Sequence, residues 1–147
     1  MVSAVFDSSV LVSAFLTRHY SGGVSNELFR FVREGKIQLH LSPDIITEAL
    51  QTLTHNRRAQ TNYRYTPQIA EEFCSDLYGI ADIVEAPPPT PGAVPRDPDD
   101  DKIVACAVAA GVQYLVSRDH DLLSLGSYAG IAIIAPEEFL PLVRAQP

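Results

Sequence analysis

Two apolar runs of this chain each end in an aspartate, where α/β proteins place the polar residues of their sites. Asp7 follows the run VSAVF, and Asp119 closes the run YLVSRD. An apolar run rich in β-branched residues predicts a buried strand, and the carboxyl ends of parallel strands form the crevice in which α/β proteins bind ligands. The sequence therefore predicts that these two carboxylates share one edge of a sheet.

Two further acidic positions are predicted at the same edge. Glu48 follows the helix-start signal Ser42-Pro43-Asp44, and Asp100 opens the helical pattern DDKIVACAV. Helices that follow parallel strands begin where those strands end, so we expect all four acids in one crevice. Carboxylates at such range would raise one another's pKa values, and a bound Mg²⁺ or Mn²⁺ would remove that cost. Such an ion also activates water and stabilises displacement at phosphorus, so the pattern predicts phosphodiester chemistry.

Each acid taken singly also has a structural interpretation. Asp7 or Asp119 could cap the N-terminus of a helix, and Glu48 could lie on a solvated helix face. The acidic residues at 97–101 could favour a helix start through the macrodipole. The hypothesis of a metal site depends on the joint position of the acids.

The elements that would position these acids alternate between strands and helices. Strands are predicted at residues 2–6, 37–41, 83–85, 112–116 and 130–134. Helices are predicted from Ser8, at 25–33 after a break at 19–23, from Pro43, from Thr66 to about Tyr78, at 99–110, as a turn at 121–125, and from Pro136. The segment 86–98, APPPTPGAVPRDP, is predicted as a surface connection. This order predicts an α/β fold with three layers, α/β/α, and a central, mainly parallel sheet of four to five strands.

The composition limits the class of protein. A chain of 147 residues with 46% hydrophobic side chains predicts one domain, residues 1–147. The net charge of −7 repels polyanions, so a nucleic acid would have to be held by local basic side chains or bound cations. We expect a cytoplasmic protein without a membrane partner, since the N-terminus lacks a basic leader and no run reaches the ~18 uncharged apolar residues that span a bilayer. Cys74 and Cys106 are predicted to be reduced core thiols.

Three segments of the chain resemble the motifs of the PIN-domain ribonucleases, which include toxins of bacterial and archaeal toxin-antitoxin pairs. The segments are VFDSSVLVSAF, LSPDIITEALQTL and DPDDDKIVACAVAAGVQYLVSRDHDLLSL, and they run from near residue 2 to near residue 125. The resemblance implies that Asp100 is the third acid of the site, with Asp101 as a second-shell or alternative ligand. The catalytic and metal-binding residues that it implies are Asp7, Glu48, Asp100, Asp101 and Asp119, with Ser9 and Ser117 as polar residues that orient ligands or water.

The resemblance also implies an activity and partners. Family members of this kind are Mg²⁺- or Mn²⁺-dependent endonucleases that cleave single-stranded or looped RNA with a metal-activated water. The implied partners are an RNA substrate, a cognate antitoxin protein and, as a possible homodimer, a second copy of the chain. An antitoxin would lie in a groove, with VSNELFRFV and the helix after Thr66 as candidate walls. The alternative is a PIN-like module that binds proteins and has lost its nuclease activity, against which the presence of all four acids argues.

A basic stretch predicts where RNA could bind despite the negative net charge. In HNRRAQTNYRY, arginines alternate with Tyr63 and Tyr65, a pattern suited to phosphate contact and base stacking. Four more basic residues lie close to the acids in sequence, namely Arg18, Arg96, Lys102 and Arg118. The candidate RNA contacts are Arg57, Arg58, Arg64, Lys102 and Arg118. The structural alternative for the stretch is a solvated connection between two helices.

Overall fold

Strands and helices alternate along the chain, as the hydrophobic pattern predicts. The computed structural model describes residues 1–20, 22–85 and 100–147. The strands are β1 (Val2–Phe6), β2 (Ile37–Leu41), β3 (Asp82–Ile83), β4 (Tyr114–Val116), β5 (Ser127–Tyr128) and β6 (Ile131–Ile134). The helices are α1 (Ser8–Leu16), α2 (Val24–Arg33), α3 (Pro43–His55), α4 (Arg57–Tyr63), α5 (Pro67–Ile80), α6 (Asp101–Ala110), α7 (His120–Leu125) and α8 (Pro136–Arg144). The predicted connection at 86–98, the predicted helix start at Asp99, and Ser21 within the predicted break lie outside the described residues.

The strands form one mostly parallel sheet flanked by helices, which confirms the predicted fold class. The strand order is β3-β2-β1-β4-β6-β5, and the β5–β6 pair is antiparallel. The central strand β1 pairs with β2 on one side and β4 on the other, with Phe6 opposite Val116. Residues Ala4 to Phe6 are fully buried because neighbouring strands and packed helices surround them. In the parts of the chain that the structure describes, the sheet has six strands rather than the four to five predicted.

The additional strand is β5, which forms a hairpin with β6. Ala129 and Gly130 join the two strands, and both have positive φ, 51° and 82°. Positive φ at both central residues is the conformation of a two-residue hairpin turn, whose usual sequences are Asn-Gly and Asp-Gly. Alanine seldom adopts this conformation, so the sequence carried no clear hairpin signal.

A short helix that the sequence did not predict, α4, lies in the basic stretch between α3 and α5, and its residues other than Ala59 are exposed or half-buried. Both interpretations of the stretch, an RNA contact and a solvated connection, remain predictions. Asn56 caps the helix through Oδ1, which accepts a hydrogen bond from the Ala59 N–H at 2.9 Å. Arg64 ends it in the left-handed conformation with φ of 54°. Only Ala59 of this helix is buried, so the sequence has no apolar periodicity that would predict it.

Two apolar clusters hold the layers together. The larger one surrounds the sheet, where the Phe6 ring meets the edges of Phe29 and Phe139. The smaller one joins α1, α3, α4 and α5 around Phe15 and Tyr65. Both predicted core thiols are buried, and burial raises the pKa of each to about 11. None of the described helices is both long enough and apolar enough to cross a membrane.

Candidate functional site

The ends of β1 and β4 bring two predicted site residues side by side. Asp7 and Ser117 each stand one residue beyond a strand, and those strands pair in parallel with Phe6 opposite Val116. The Asp7 N–H extends the ladder by donating to the Val116 carbonyl at 3.1 Å. Asp7 is only 2% exposed. Backbone pairing therefore fixes a buried carboxylate at the carboxyl edge of the sheet.

Both oxygens of the Asp7 carboxylate accept hydrogen bonds. Oδ1 accepts from the Ser9 hydroxyl at 2.5 Å and from the Val10 N–H at 3.2 Å, which also caps α1. Oδ2 accepts from the Ser117 hydroxyl. The helix-capping role considered for Asp7 is therefore real, and it coexists with a fixed orientation of the carboxylate.

The two serine hydroxyls are themselves oriented by backbone donors. The Arg118 N–H donates to Ser9 Oγ at 3.0 Å, and the Asp119 N–H donates to Ser117 Oγ at 2.8 Å. Because each Oγ accepts one hydrogen bond, its own proton is directed at Asp7. The two predicted polar residues thus tie the segment after β4 to the carboxylate after β1.

Asp119 lies close enough to Asp7 for their charges to interact. It caps α7, since its Oδ1 accepts from the Asp121 N–H at 2.9 Å, and it is half-buried. Burial is the main cause that raises the pKa of Asp7, and the Asp119 charge raises it further. The bonds from Ser117, Ser9 and Val10 act in the opposite direction because they stabilise the ionised form.

The other predicted acids lie on the flanking helices α3 and α6. Glu48 is exposed on α3 and lines a cleft of about 420 Å³ together with Lys102 of α6. Asp101 is the first residue of α6, and Asp100 precedes it. These two carboxyl groups are buried, with exposures of 8% and 5%. Lys102 and Ile103 of the first turn of α6 line the cleft with Glu48, and Asp100 and Asp101 are not among its lining residues.

The side chains are not assembled into a metal cage. Within residues 1–20, 22–85 and 100–147, no three His, Cys, Asp or Glu side chains lie close enough together to hold a metal ion. In donor chemistry the set fits a hard divalent cation, because it offers carboxylate oxygens only. A cation would also offset the cost of ionising the buried Asp7 beside Asp119. The four-acid metal site therefore stays a prediction.

Some residues that line the cleft were not predicted from the sequence. Asp44 and Gln51 line it with Glu48 because they lie four residues before and three residues after it on α3. That helical spacing was the signal that could have identified them. Glu137 was also missed, and its carboxylate pairs with the Arg118 guanidinium at 2.7 Å.

The predicted RNA contacts have different surroundings. All five are exposed, and Arg57, Arg58, Arg64 and Lys102 form no ion pair in the described residues. Arg118 is engaged with Glu137. The prediction that Tyr65 stacks on a base was wrong, because its ring is 5% exposed and packs edge-on against Phe15. Its hydroxyl donates to the Leu53 carbonyl at 2.8 Å, so Tyr65 serves the core.

The two helices predicted as groove walls do line a common cavity. It has a volume of about 610 Å³ and lies among the C-terminal end of α1, helix α2 and Phe73 of α5. Arg18, Arg30 and Arg33 place positive charge around it, and Phe29 and Phe73 give it an apolar floor. The antitoxin and the homodimer remain predictions.

Comparisons with known proteins agree with this architecture. The family model described as PIN domain matches residues 3–121. PAE2754 from Pyrobaculum aerophilum is similar in structure, with a TM-score of 0.63 and 21% identity over 99% of this chain and 97% of that chain. VapBC2 from Rickettsia felis, in a crystal structure bound to a DNA fragment from their promoter, has a TM-score of 0.58 and 9% identity over 90% of this chain and 98% of that chain.

At these identities the two solved structures show the fold alone. A search of curated proteins found no match. The family model spans more than half of the chain and includes β1, α3, α6 and the strand end at Asp119. The chain therefore belongs to the PIN domain family.

Proposed function

We propose that this protein is a divalent-metal-dependent endoribonuclease, the toxin of a toxin-antitoxin pair. The observation that carries the proposal is the buried Asp7 carboxylate, held by two hydroxyls beside Asp119 at the carboxyl edge of the sheet. A carboxylate kept in a buried site next to a second one is costly to ionise without a cation. Membership of the PIN domain family supports a nuclease as the class of enzyme.

Each residue of the proposed metal site would have its own role. Asp7 and Asp119 would hold the ion from the strand ends, and the acids of α3 and α6 would complete its ligands. Ser9 and Ser117 would keep the Asp7 oxygens in place through the hydroxyl bonds described above. A bound Mg²⁺ or Mn²⁺ supplies an activated water and stabilises the charge that develops at phosphorus. Lys102, exposed in the cleft beside Glu48, would contact a substrate phosphate.

The basic side chains offer RNA a local attraction that the net charge of −7 opposes. Arg57, Arg58 and Arg64 are exposed, and no acidic side chain in the described residues forms an ion pair with them. They are therefore available to phosphates at low salt. Arg118 would have to exchange Glu137 for a phosphate.

The groove among α1, α2 and α5 would receive the antitoxin. Its apolar floor and arginine-rich rim suit an amphipathic segment that carries acidic side chains. Likeness to VapBC2 supports a partner of this class, although it shows the fold alone.

The test is cleavage of structured RNAs by the purified protein with Mg²⁺, Mn²⁺ or EDTA. We expect cleavage with either metal, none with EDTA, and none with Asp7→Asn. Asp76→Asn, an exposed aspartate of α5, is the matched control and should cleave like the wild type. Cleavage that survives both chelation and Asp7→Asn would overturn the proposal.

A second candidate is a protein-binding module without nuclease activity. It is favoured by the absence, in the described residues, of three acids close enough to hold a metal ion. Thermal unfolding with and without Mn²⁺ separates the two candidates. A nuclease site predicts that Mn²⁺ raises the Tm of the wild type and not that of Asp7→Asn, whereas the binding module predicts no shift for either.

A further inference from the structure

A separate cavity adjoins the carboxylate site on the side of α1 and α4. It has a volume of about 430 Å³, within the range of about 300–1,000 Å³ typical of pockets for small organic groups. Ser9 lines this cavity and also donates to Asp7, so the two sites share a wall. A polynucleotide whose phosphate lies at Asp7 would place a neighbouring nucleotide at the cavity.

The lining of the cavity suits a flat, mostly apolar group with polar edges. Val12 and Leu16 of α1 and the Tyr63 ring of α4 give it apolar walls. Thr52 of α3 brings an exposed hydroxyl to the same cavity. A nucleobase has this combination, since its faces stack on aromatic rings and its edges form hydrogen bonds.

Tyr63 and Tyr65 differ in their structural contacts. The Tyr65 hydroxyl and ring are both engaged in the small core cluster. Tyr63 is half-buried, and within the described parts of the chain its hydroxyl forms no hydrogen bond and its ring pairs with no other aromatic ring. The Tyr63 side chain packs against the small core cluster and also lines the cavity, so the part of the ring that faces the cavity can contact a ligand.

The positive charge around α4 favours a ligand that is part of a polyanion. The exposed arginines Arg57 and Arg58 start the helix that carries Tyr63, and the exposed Arg64 directly follows Tyr63. A stacking ring with cations on the same short helix matches the way in which proteins hold single-stranded nucleic acids.

We propose that this cavity binds an unpaired base of single-stranded RNA next to the scissile phosphate, with Tyr63 as the stacking residue. The proposal rests on the proposed nuclease function and adds a determinant of specificity to it. An RNA duplex keeps its bases stacked inside the helix and cannot fill the cavity, so Tyr63 selects single-stranded or looped RNA.

The experiment measures binding apart from cleavage. All variants carry Asp7→Asn, which is expected not to cleave, and fluorescence anisotropy reports the Kd for a labelled single-stranded RNA oligonucleotide. We expect Tyr63→Leu to weaken binding by roughly 5- to 150-fold, the range for loss of one stacked base. Tyr63→Phe keeps the stacking face and should bind within about twofold of the parent. Leucine keeps an apolar side chain against the small core cluster around Phe15 and Tyr65. Thermal unfolding checks that the variant folds.

Two controls make the result specific. Tyr78→Leu removes an exposed tyrosine of α5 and should leave the Kd unchanged. Binding of duplex RNA should be equal for the parent and Tyr63→Leu. A folded Tyr63→Leu variant that binds single-stranded RNA like its parent would overturn the stacking subsite, whatever the cleavage assay shows. Conversely, loss of binding by Tyr63→Leu in a protein whose wild type does not cleave would overturn the nuclease and keep the subsite.

Discussion

The strand-end region and the helix flank of the candidate site are built in different ways. The strand-end region consists of Asp7, Ser9, Ser117 and Asp119, and its side chains are joined by hydrogen bonds. The helix flank consists of Glu48, Asp100, Asp101 and Lys102, which line or border the cleft between α3 and α6. Three acids are not grouped across the two regions within the described residues.

The difference follows from what holds each region. Parallel pairing of β1 with β4 places the residues of the strand-end region within hydrogen-bonding distance of one another. Backbone N–H groups then orient the two serine hydroxyls. The helix flank is placed by α3 and by the start of α6. Glu48 is exposed on α3, whereas Asp100 and Asp101 are buried. Paired strands therefore position one region, and two helices position the other.

The largest expected effect lies in the helix flank and concerns Asp100 and Asp101. If Asp100 binds the ion and Asp101 supports it, Asp101→Asn should lower the cleavage rate roughly 10- to 100-fold, and Asp100→Asn should lower it further. Rates of RNA cleavage at saturating Mn²⁺ measure this difference. Asp76→Asn, an exposed acid of α5 outside this cleft, is the control and should keep nearly full activity. A larger loss for Asp101→Asn than for Asp100→Asn would reverse the two roles.

The sequence predicted the fold because apolar runs of the right length recur between helix signals. β1 ends in the buried run Ala4 to Phe6, and α3 and α5 begin with a capping residue followed by proline. The hairpin at Ala129 and the helix α4 were missed for a shared reason. Each is short and lacks the residue that usually marks it, a favoured turn pair in one and an apolar stripe in the other.

The site was predictable to the extent that backbone position decides it. Asp7 and Asp119 had to share an edge once β1 and β4 were parallel neighbours, and the sequence indicated both strands. The grouping of Glu48 with the other acids stays a prediction, since no three acids in the described residues lie close enough together to hold a metal ion. The burial of Tyr65 was equally hidden, since Tyr63 and Tyr65 have the same local sequence chemistry and differ only in tertiary contacts.

A smaller effect, on stability, is expected in the strand-end region from the two serines. Ser117 is fully buried and bridges the Asp7 carboxylate and the Asp119 N–H, whereas Ser9 is half-buried. Ser117→Ala should lower the free energy of unfolding by about 1–3 kcal/mol, since the Asp7 carboxylate and the Asp119 N–H would each lose a hydrogen-bond partner. Ser9→Ala should cost about 0.5–1.5 kcal/mol, the net value of an ordinary hydrogen bond. Urea unfolding of both variants measures the difference, and equal losses would contradict the larger cost expected from the burial of Ser117.

The smallest effect has the opposite sign and concerns Asp7 itself. Burial, with the nearby Asp119 charge, raises the pKa of Asp7 in the folded state above its unfolded value. The stability that Asp7 contributes is therefore full below the unfolded pKa and is lost as the pH rises through the folded pKa. Asp7→Asn should thus raise the Tm at neutral pH without metal.

The pH dependence of that Tm difference separates charge from packing. The gain from Asp7→Asn should shrink as the pH falls through the folded pKa of Asp7 and vanish below its unfolded pKa, because the wild-type carboxyl is then protonated in both states. Asp119→Asn is the control, and its gain should be smaller because Asp119 is half-buried and its charge is only the lesser cause of the raised Asp7 pKa. A gain that persists unchanged at acidic pH would mean that asparagine packs better than aspartate. In that case ionised Asp7 would not destabilise the folded state, and a bound cation would have no such cost to offset.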